Sequence, residues 1–73
     1  MAKLPSISGR KCVAALKKAG FYEDRQKGSH ITMIRDIPFV RVTVPYNDPI
    51  SPGTMRSIIR AAGMTVEQFV ELL

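Results

Sequence analysis

Three short segments with strand-forming composition follow one another with only two turns between them, and this arrangement constrains the fold most. The segments are Phe21–Gln26, His30–Arg35 and Phe39–Val44, with turns at Lys27-Gly28 and at Asp36-Ile37-Pro38. Strands pair in parallel only when a connection of about a dozen residues or more separates them. Because neither turn is that long, the sequence predicts a three-stranded antiparallel meander.

A helix signal precedes the first strand. Ser8 is the candidate N-cap of a helix over Gly9–Ala19. Gly20 follows this helix, and glycine readily adopts the left-handed conformation that commonly ends a helix. Apolar residues recur at helical spacing along this segment and predict its buried stripe. They are Cys12, Val13, Leu16 and Ala19.

Two further helix signals follow the third strand. Ser51 is the predicted N-cap of a second helix, with Pro52 at the first helical position. This helix is predicted to run to Ala62, and Gly63 is predicted to cap it. The capping box Thr65-Val66-Glu67-Gln68 then starts a short helix that is predicted to run to the C-terminus. Its predicted apolar side comprises Val66, Phe69, Val70 and Leu73. The predicted class is α+β, in the order helix, three strands, helix, short helix.

Alternation along the strands assigns side chains to the two faces of the sheet. An antiparallel sheet commonly covers one face and leaves the other to solvent. The face predicted to lie under the helices carries Ile31, Met33, Val40, Val42 and Val44. The opposite face, called the open face below, carries His30, Thr32, Arg41 and Thr43.

Size and composition predict one domain over residues 1–73. Hydrophobic residues make up 45% of the chain, which suits a compact core, and no apolar run is long enough to cross a bilayer. We expect no secretory signal, and the single cysteine, Cys12, suits a reducing cytoplasm. Asp24, Asp36 and Asp48 are not spaced as a metal cage, so no metal or cofactor is expected.

The chain is strongly basic, with a net charge of +5 and a pI near 9.9. Such a charge favours a polyanionic partner: nucleic acid, an anionic membrane or an acidic protein. Charge alone does not choose among these partners. Four bases of the first helix fall largely off its buried stripe, where either solvent or an RNA backbone could meet them. They are Arg10, Lys11, Lys17 and Lys18.

His30 is the only histidine, and it opens the second strand directly after Lys27-Gly28-Ser29. A lone histidine is more often an ordinary surface or packing residue, but histidine also titrates close enough to neutral pH to give and take a proton. RNA cleavage without a metal needs such proton transfer, and it needs cations for the charge that develops on phosphorus. Arg25, Lys27 and Arg41 are the candidate cations, and Ser29 is a candidate for positioning the RNA.

Several stretches, in order and over nearly the whole chain, together resemble the HicA family of toxin mRNA interferases. The first is Lys17-Lys18-Ala19-Gly20-Phe21, and the next is Arg25-Gln26-Lys27-Gly28-Ser29-His30. Val42-Thr43-Val44-Pro45, residues 52–63 and Thr65-Val66-Glu67-Gln68-Phe69 follow.

The resemblance implies a double-stranded-RNA-binding-domain-like fold and a small toxin that binds and cleaves mRNA. It also implies a HicB antitoxin as partner. The family's catalytic histidine follows Gly-Ser, which is the position of His30. Relatives often carry a second histidine two residues after the Val-Pro of the third strand, where this chain has Asn47.

Two other functions stay open from the residues alone. One is a non-catalytic RNA-binding module that uses the same basic surface, and the other is a domain that binds an acidic protein. An antitoxin could also cover His30 by occupying the open face. In that case Arg25, Lys27 and Arg41 would pair with its acidic groups, and its apolar contacts would be Ile34, Ile37 and Phe39. The alternative is that these three residues only pack within the hairpin, against Tyr22 or the termini.

Overall fold

The computed structural model describes residues 3–73, which form three helices and one sheet. Helix α1 spans Gly9–Lys18, and helices α2 and α3 span Pro52–Ala61 and Val66–Val70. Strands β1 to β3 lie between α1 and α2, at Tyr22–Lys27, His30–Arg35 and Val40–Pro45. This element order confirms the predicted α+β class.

The three strands pair antiparallel in chain order, with β2 in the centre. Met33 pairs with Glu23 of β1 and with Val42 of β3, and the other pairs follow from this register with one irregularity in β1. A two-residue turn joins β1 to β2, and residues 36–39 join β2 to β3. The predicted meander is therefore confirmed, although β1 and β3 each begin one residue later than expected.

The helices cover the face of the sheet that alternation predicted. Ile31, Met33, Val42 and Val44 are each at most 4% exposed and form one core with the helices. Val40, at the start of β3, is only partly buried against that core. Among residues 3–73, no helix combines the length and the apolar character needed to cross a membrane.

The predicted helix starts are confirmed, and α1 and α2 each end one residue earlier than predicted. Ser8 caps α1 by accepting a hydrogen bond from the Lys11 backbone N–H, and Gly20 follows α1 with a φ of +95°. The capping box at Thr65 is present as predicted. The prediction that α3 runs to the C-terminus with Leu73 on its apolar side is wrong. The helix ends at Val70, and Leu73 is 49% exposed because Leu72 packs against the core instead.

Helix α1 begins in direct backbone contact with the end of β3. Gly9 is buried, and its N–H donates a hydrogen bond of 2.8 Å to the carbonyl oxygen of Asn47. A Cβ atom added at Gly9 would collide with the carbonyl oxygen of Pro45 and lie 2.8 Å from the Cα of Tyr46. Only a residue without a side chain fits this junction.

Cys12 is expected to resist thiol reagents as long as the protein is folded. It is fully buried in the core, and this burial raises the pKa of its thiol to about 12. Because the thiolate is the reactive form, almost none is available near pH 8. Mass spectrometry after iodoacetamide treatment should show no modification of the native protein and complete modification in denaturant. Rapid modification of the native protein would contradict the buried position.

Candidate nucleic-acid interface

The β1–β2 hairpin places His30 beside its turn. Gly28 has a φ of +60° and Ser29 does not have a positive φ, which is the pattern of a type II′ turn with glycine at its first central position. The side-chain amide of Gln26 donates to the Gly28 carbonyl oxygen at 3.2 Å. Lys27 and His30 are therefore direct neighbours across the two strands, and both are exposed.

A bulge in β1 decides which of its side chains share a face with His30. Glu23 pairs with Met33 and Arg25 pairs with Thr32, so Asp24 is the extra residue. Beyond the bulge, Arg25 and Lys27 lie opposite open-face residues of β2. Before it, Glu23 lies on the helix side, where its carboxylate forms an ion pair of 2.8 Å with Lys17 of α1. The hairpin turn thus sets Arg25 and Lys27 on the open face, and the bulge moves Glu23 to the helix side and Tyr22 to the open face.

The open face carries three cations around a shallow depression. Asp24, Arg25 and Thr32 line this depression together with Arg41 of β3, and its volume is about 260 Å³. Lys27 lies further along β1, beside His30. Within residues 3–73, none of the three cations forms an ion pair, so their charge is directed to solvent. This surface can bind a phosphodiester chain electrostatically.

Ile34 is buried, and the prediction that it is an exposed apolar contact for a partner is wrong. It points to the open face but is only 7% exposed, and it lies outside the core beneath the helices. Its neighbours across the two strand pairs are Tyr22 and Arg41. In the central strand these two larger side chains flank it from both sides, which alternation alone does not reveal.

Tyr22 is tied to the far end of β2. Its hydroxyl donates a hydrogen bond of 2.9 Å to the Asp36 carboxylate, two residues beyond Ile34. This hydrogen bond is the main reason why the pKa of Tyr22 is raised above its usual value, since deprotonation would remove the donor that Asp36 accepts from. The phenol is therefore held in place in its protonated form.

Ile37 and Phe39 are exposed as predicted, but they lie far from His30. Ile37 is 90% exposed and Phe39 is 64% exposed, in the turn between β2 and β3. His30 lies at the opposite end of β2, a strand of six residues, which corresponds to a separation of roughly 17 Å. One ligand would have to cover the whole open face to contact both ends.

The loop after β3 joins the hairpin turn to the start of α1. The backbone N–H of Tyr46 donates to the Ser29 carbonyl oxygen at 2.6 Å, and Asn47 accepts the hydrogen bond from Gly9. Tyr46 also lines a pocket together with Ser8 and Arg10 at the start of α1. The loop therefore supports the turn from behind.

Two residues of the open face were not predicted as site residues. Thr32 lines the depression, and alternation does place it beside His30. Tyr22 could not be placed in this way, because the bulge at Asp24 changes the alternation of β1. Within the described part of the chain, no group of three His, Cys, Asp or Glu side chains is positioned to hold a metal ion.

Comparison with known proteins identifies the family. The model of the family described as HicA toxin of bacterial toxin-antitoxin matches residues 9–64, from the start of α1 to just beyond α2. A comparison with curated proteins finds no match. The family match covers the hairpin with His30, the whole sheet and more than half of the chain. The chain therefore belongs to the HicA family, the toxins of bacterial toxin–antitoxin pairs.

Proposed function

We propose that this toxin acts as an endoribonuclease that binds and cleaves mRNA without a metal ion. The observation that carries the proposal is the shared face of His30 and three cations that form no ion pair with other residues of 3–73. His30 is its general acid or base, and Arg25, Lys27 and Arg41 bind the phosphates. On this view residues 1–73 form one HicA-like domain that works in the cytoplasm, where mRNA is found.

The reaction that fits this site is an attack of the RNA 2′-hydroxyl on the adjacent phosphorus. A base removes the 2′-hydroxyl proton, the bond from phosphorus to the 5′-oxygen breaks, and that oxygen receives a proton. The products are a 2′,3′-cyclic phosphate and a 5′-hydroxyl. Lys27, the direct neighbour of His30, stabilises the negative charge that develops on the phosphorane oxygens, while Arg25 and Arg41 bind phosphates further along the strand. His30 performs one proton transfer, and Ser29 positions the strand at the turn.

This mechanism needs a second proton transfer, for which the site has no second histidine. The lack of a second histidine favours an alternative function. Asn47 stands where relatives often have histidine, so the second proton transfer falls to Tyr46, a lysine or solvent water. Cleavage would therefore be modest. If cleavage is absent altogether, the same surface serves a non-catalytic RNA-binding module.

We propose a HicB-like antitoxin as the protein partner that blocks this face. Ile37 and Phe39 are exposed for apolar contact, and acidic groups of the antitoxin would pair with Arg25, Lys27 and Arg41. Ile34 would support this contact from beneath without forming its surface. A structure of the complex in which Ile37, Phe39 and His30 stay exposed to solvent would contradict this role.

RNA binding is expected to depend steeply on salt and to weaken when a cation of the open face is removed. Each phosphate contact to single-stranded RNA contributes about 0.7 to the slope of log affinity against log salt concentration. Arg41→Gln should lower the affinity and make this slope shallower by about that amount. Fluorescence anisotropy with labelled, unstructured RNA over a range of KCl concentrations measures it.

The matched variant for this experiment is Arg60→Gln, which removes an exposed cation of α2 on the other side of the sheet. It should leave the slope unchanged. Weak binding that is indifferent to salt would contradict RNA as the ligand and would favour an acidic protein partner. Cleavage by the wild-type protein is assayed on the same RNA with EDTA present, which tests the metal-independent mechanism directly.

A further inference from the structure

Tyr22 lies on the open face, at the opposite end of the sheet from His30. It pairs with Ile34, four residues along β2 from His30, which corresponds to about 13 Å along the strand. Tyr22 is 44% exposed although it sits beside the buried Ile34. It is the aromatic side chain of β1, and it shares the open face with the three cations described above.

The hydrogen bond to Asp36 determines how the ring of Tyr22 lies on the sheet. Tyr22 belongs to β1, whereas Asp36 follows the end of β2, so the ring must extend diagonally across the sheet surface to join them. This direction leads past Ile34, the partner of Tyr22 across the two strands, which is only 7% exposed. Tyr22 itself is 44% exposed, so a large part of it is left to solvent.

The surroundings of this ring match the chemistry of an unpaired nucleotide. Arg41 flanks Ile34 on the strand opposite Tyr22, and Arg25 and Thr32 form the next pair towards His30. Proteins bind single-stranded nucleic acid by stacking bases on aromatic side chains while nearby cations hold the phosphates. A strand that runs from His30 towards Tyr22 would meet cations first and then the ring.

We propose that Tyr22 stacks on an unpaired base of the RNA near the cleavage point, so that the substrate must be single-stranded there. This inference rests on the proposed function, because it concerns the RNA bound at the same face. Stacking requires an accessible base face, which a base inside a duplex does not offer. Because Asp36 already holds the phenol in one orientation, little side-chain freedom is lost when a base stacks on it.

A base fits this position better than an apolar side chain of a protein partner. Arg25 and Arg41 lie on the same face as Tyr22, in a depression that also contains Asp24. The phosphates of an RNA strand would supply counterions to these arginines, whereas an apolar side chain would not. The more exposed apolar groups, Ile37 and Phe39, lie in the turn beyond the strand ends. Contact of Tyr22 with a protein partner is the alternative that the experiment tests.

The experiment compares Tyr22→Leu with Tyr22→Phe, each in the full-length chain with His30→Ala to prevent cleavage. Leucine keeps apolar cover over Ile34 but removes the ring, whereas phenylalanine keeps the ring and loses the hydrogen bond to Asp36. We expect Tyr22→Leu to lower the affinity for unstructured RNA about tenfold, as for the loss of one base–aromatic stack. Tyr22→Phe should keep most of the affinity.

Two RNA controls identify stacking as the cause. A series of RNAs is prepared, each with a single abasic site at a different position. One of them should bind less tightly to the parent protein with Tyr22, and the same abasic site should not lower the affinity of Tyr22→Leu any further. Binding to a duplex of the same sequence should not change with Tyr22→Leu. Circular dichroism spectra and thermal unfolding establish that each variant is folded.

Each contrary outcome separates this proposal from the proposed function. If the protein binds and cleaves unstructured RNA but Tyr22→Leu binds as tightly as the parent, stacking is wrong and the ribonuclease function stands. If Tyr22→Leu loses antitoxin binding and keeps RNA binding, the ring is a protein contact. If no RNA binds, both proposals are wrong.

Discussion

Replacing His30 with alanine is expected to abolish RNA cleavage while leaving RNA affinity almost unchanged. Proton transfer by a positioned side chain contributes about 10²–10⁴-fold to a rate, so at least a hundredfold loss should follow. Affinity is expected to depend on Arg25, Lys27 and Arg41, which the substitution of His30 leaves in place. Quantitative gel assays of cleavage and anisotropy titrations on the same RNA, with EDTA present, measure the two effects separately.

Arg41→Gln provides the contrast. It should weaken RNA binding, and its cleavage rate should fall only because less RNA is bound. A His30→Ala protein that still cuts RNA at a tenth of the wild-type rate would assign the proton transfer to another group. If neither protein cuts RNA but both bind it, the chain is an RNA-binding module. In that case Asn47→His is the first variant to test for a gain of cleavage.

Replacing Gly9 with alanine is expected to cost about 3 kcal/mol of the free energy of unfolding, at the upper end of what overpacking usually costs. The added methyl group would meet only backbone atoms, the carbonyl group of Pro45 and the Cα of Tyr46. Backbone cannot rotate away as a flexible side chain can, so α1 would have to move from the end of β3. For a chain of this size the loss is a large part of a total stability of roughly 5 kcal/mol. Urea unfolding followed by circular dichroism measures it.

The matched variant is Gly53→Ala, in the first turn of α2. A Cβ atom there has no neighbour within 4 Å, and alanine should stabilise the helix by about 0.5–1 kcal/mol. Equal urea midpoints for Gly9→Ala and the wild-type protein would contradict the close contact between α1 and β3. Because Tyr46 also holds the Ser29 carbonyl at the hairpin turn, cleavage by Gly9→Ala should fall even where most of the protein is folded.

The architecture was predictable because its signals are local. Strand segments joined by short turns can only form a meander, and Ser8, Gly20 and Thr65 act on the helix ends next to them. Alternation correctly placed His30 and Arg41 on one face, because β2 and β3 pair without a bulge. The errors in the architecture concern the ends of helices and strands. One example is Leu73, which the sequence pattern places in α3 because so short a helix has too few residues to define its last turn.

The candidate site was predictable only in part. The residue types and the Gly-Ser-His order identify His30 as the candidate group, and the charge of the chain indicates a polyanion. Neither shows that Tyr22 shares this face with His30, because plain alternation of β1 cannot include the extra residue Asp24. A bulge depends on how two strands fit together, and a single strand carries no signal of it.

The amino-acid sequence by itself determined the order of helices and strands, the antiparallel pairing and the face that carries His30. Hydrogen-bonding turns, caps and side-chain alternation act over a few residues and can be read along the chain. Tertiary structure alone decided the cover over Ile34, the path of the Tyr22 ring to Asp36 and the need for glycine at position 9. Each of these depends on atoms that are distant in sequence and meet only after the chain has folded.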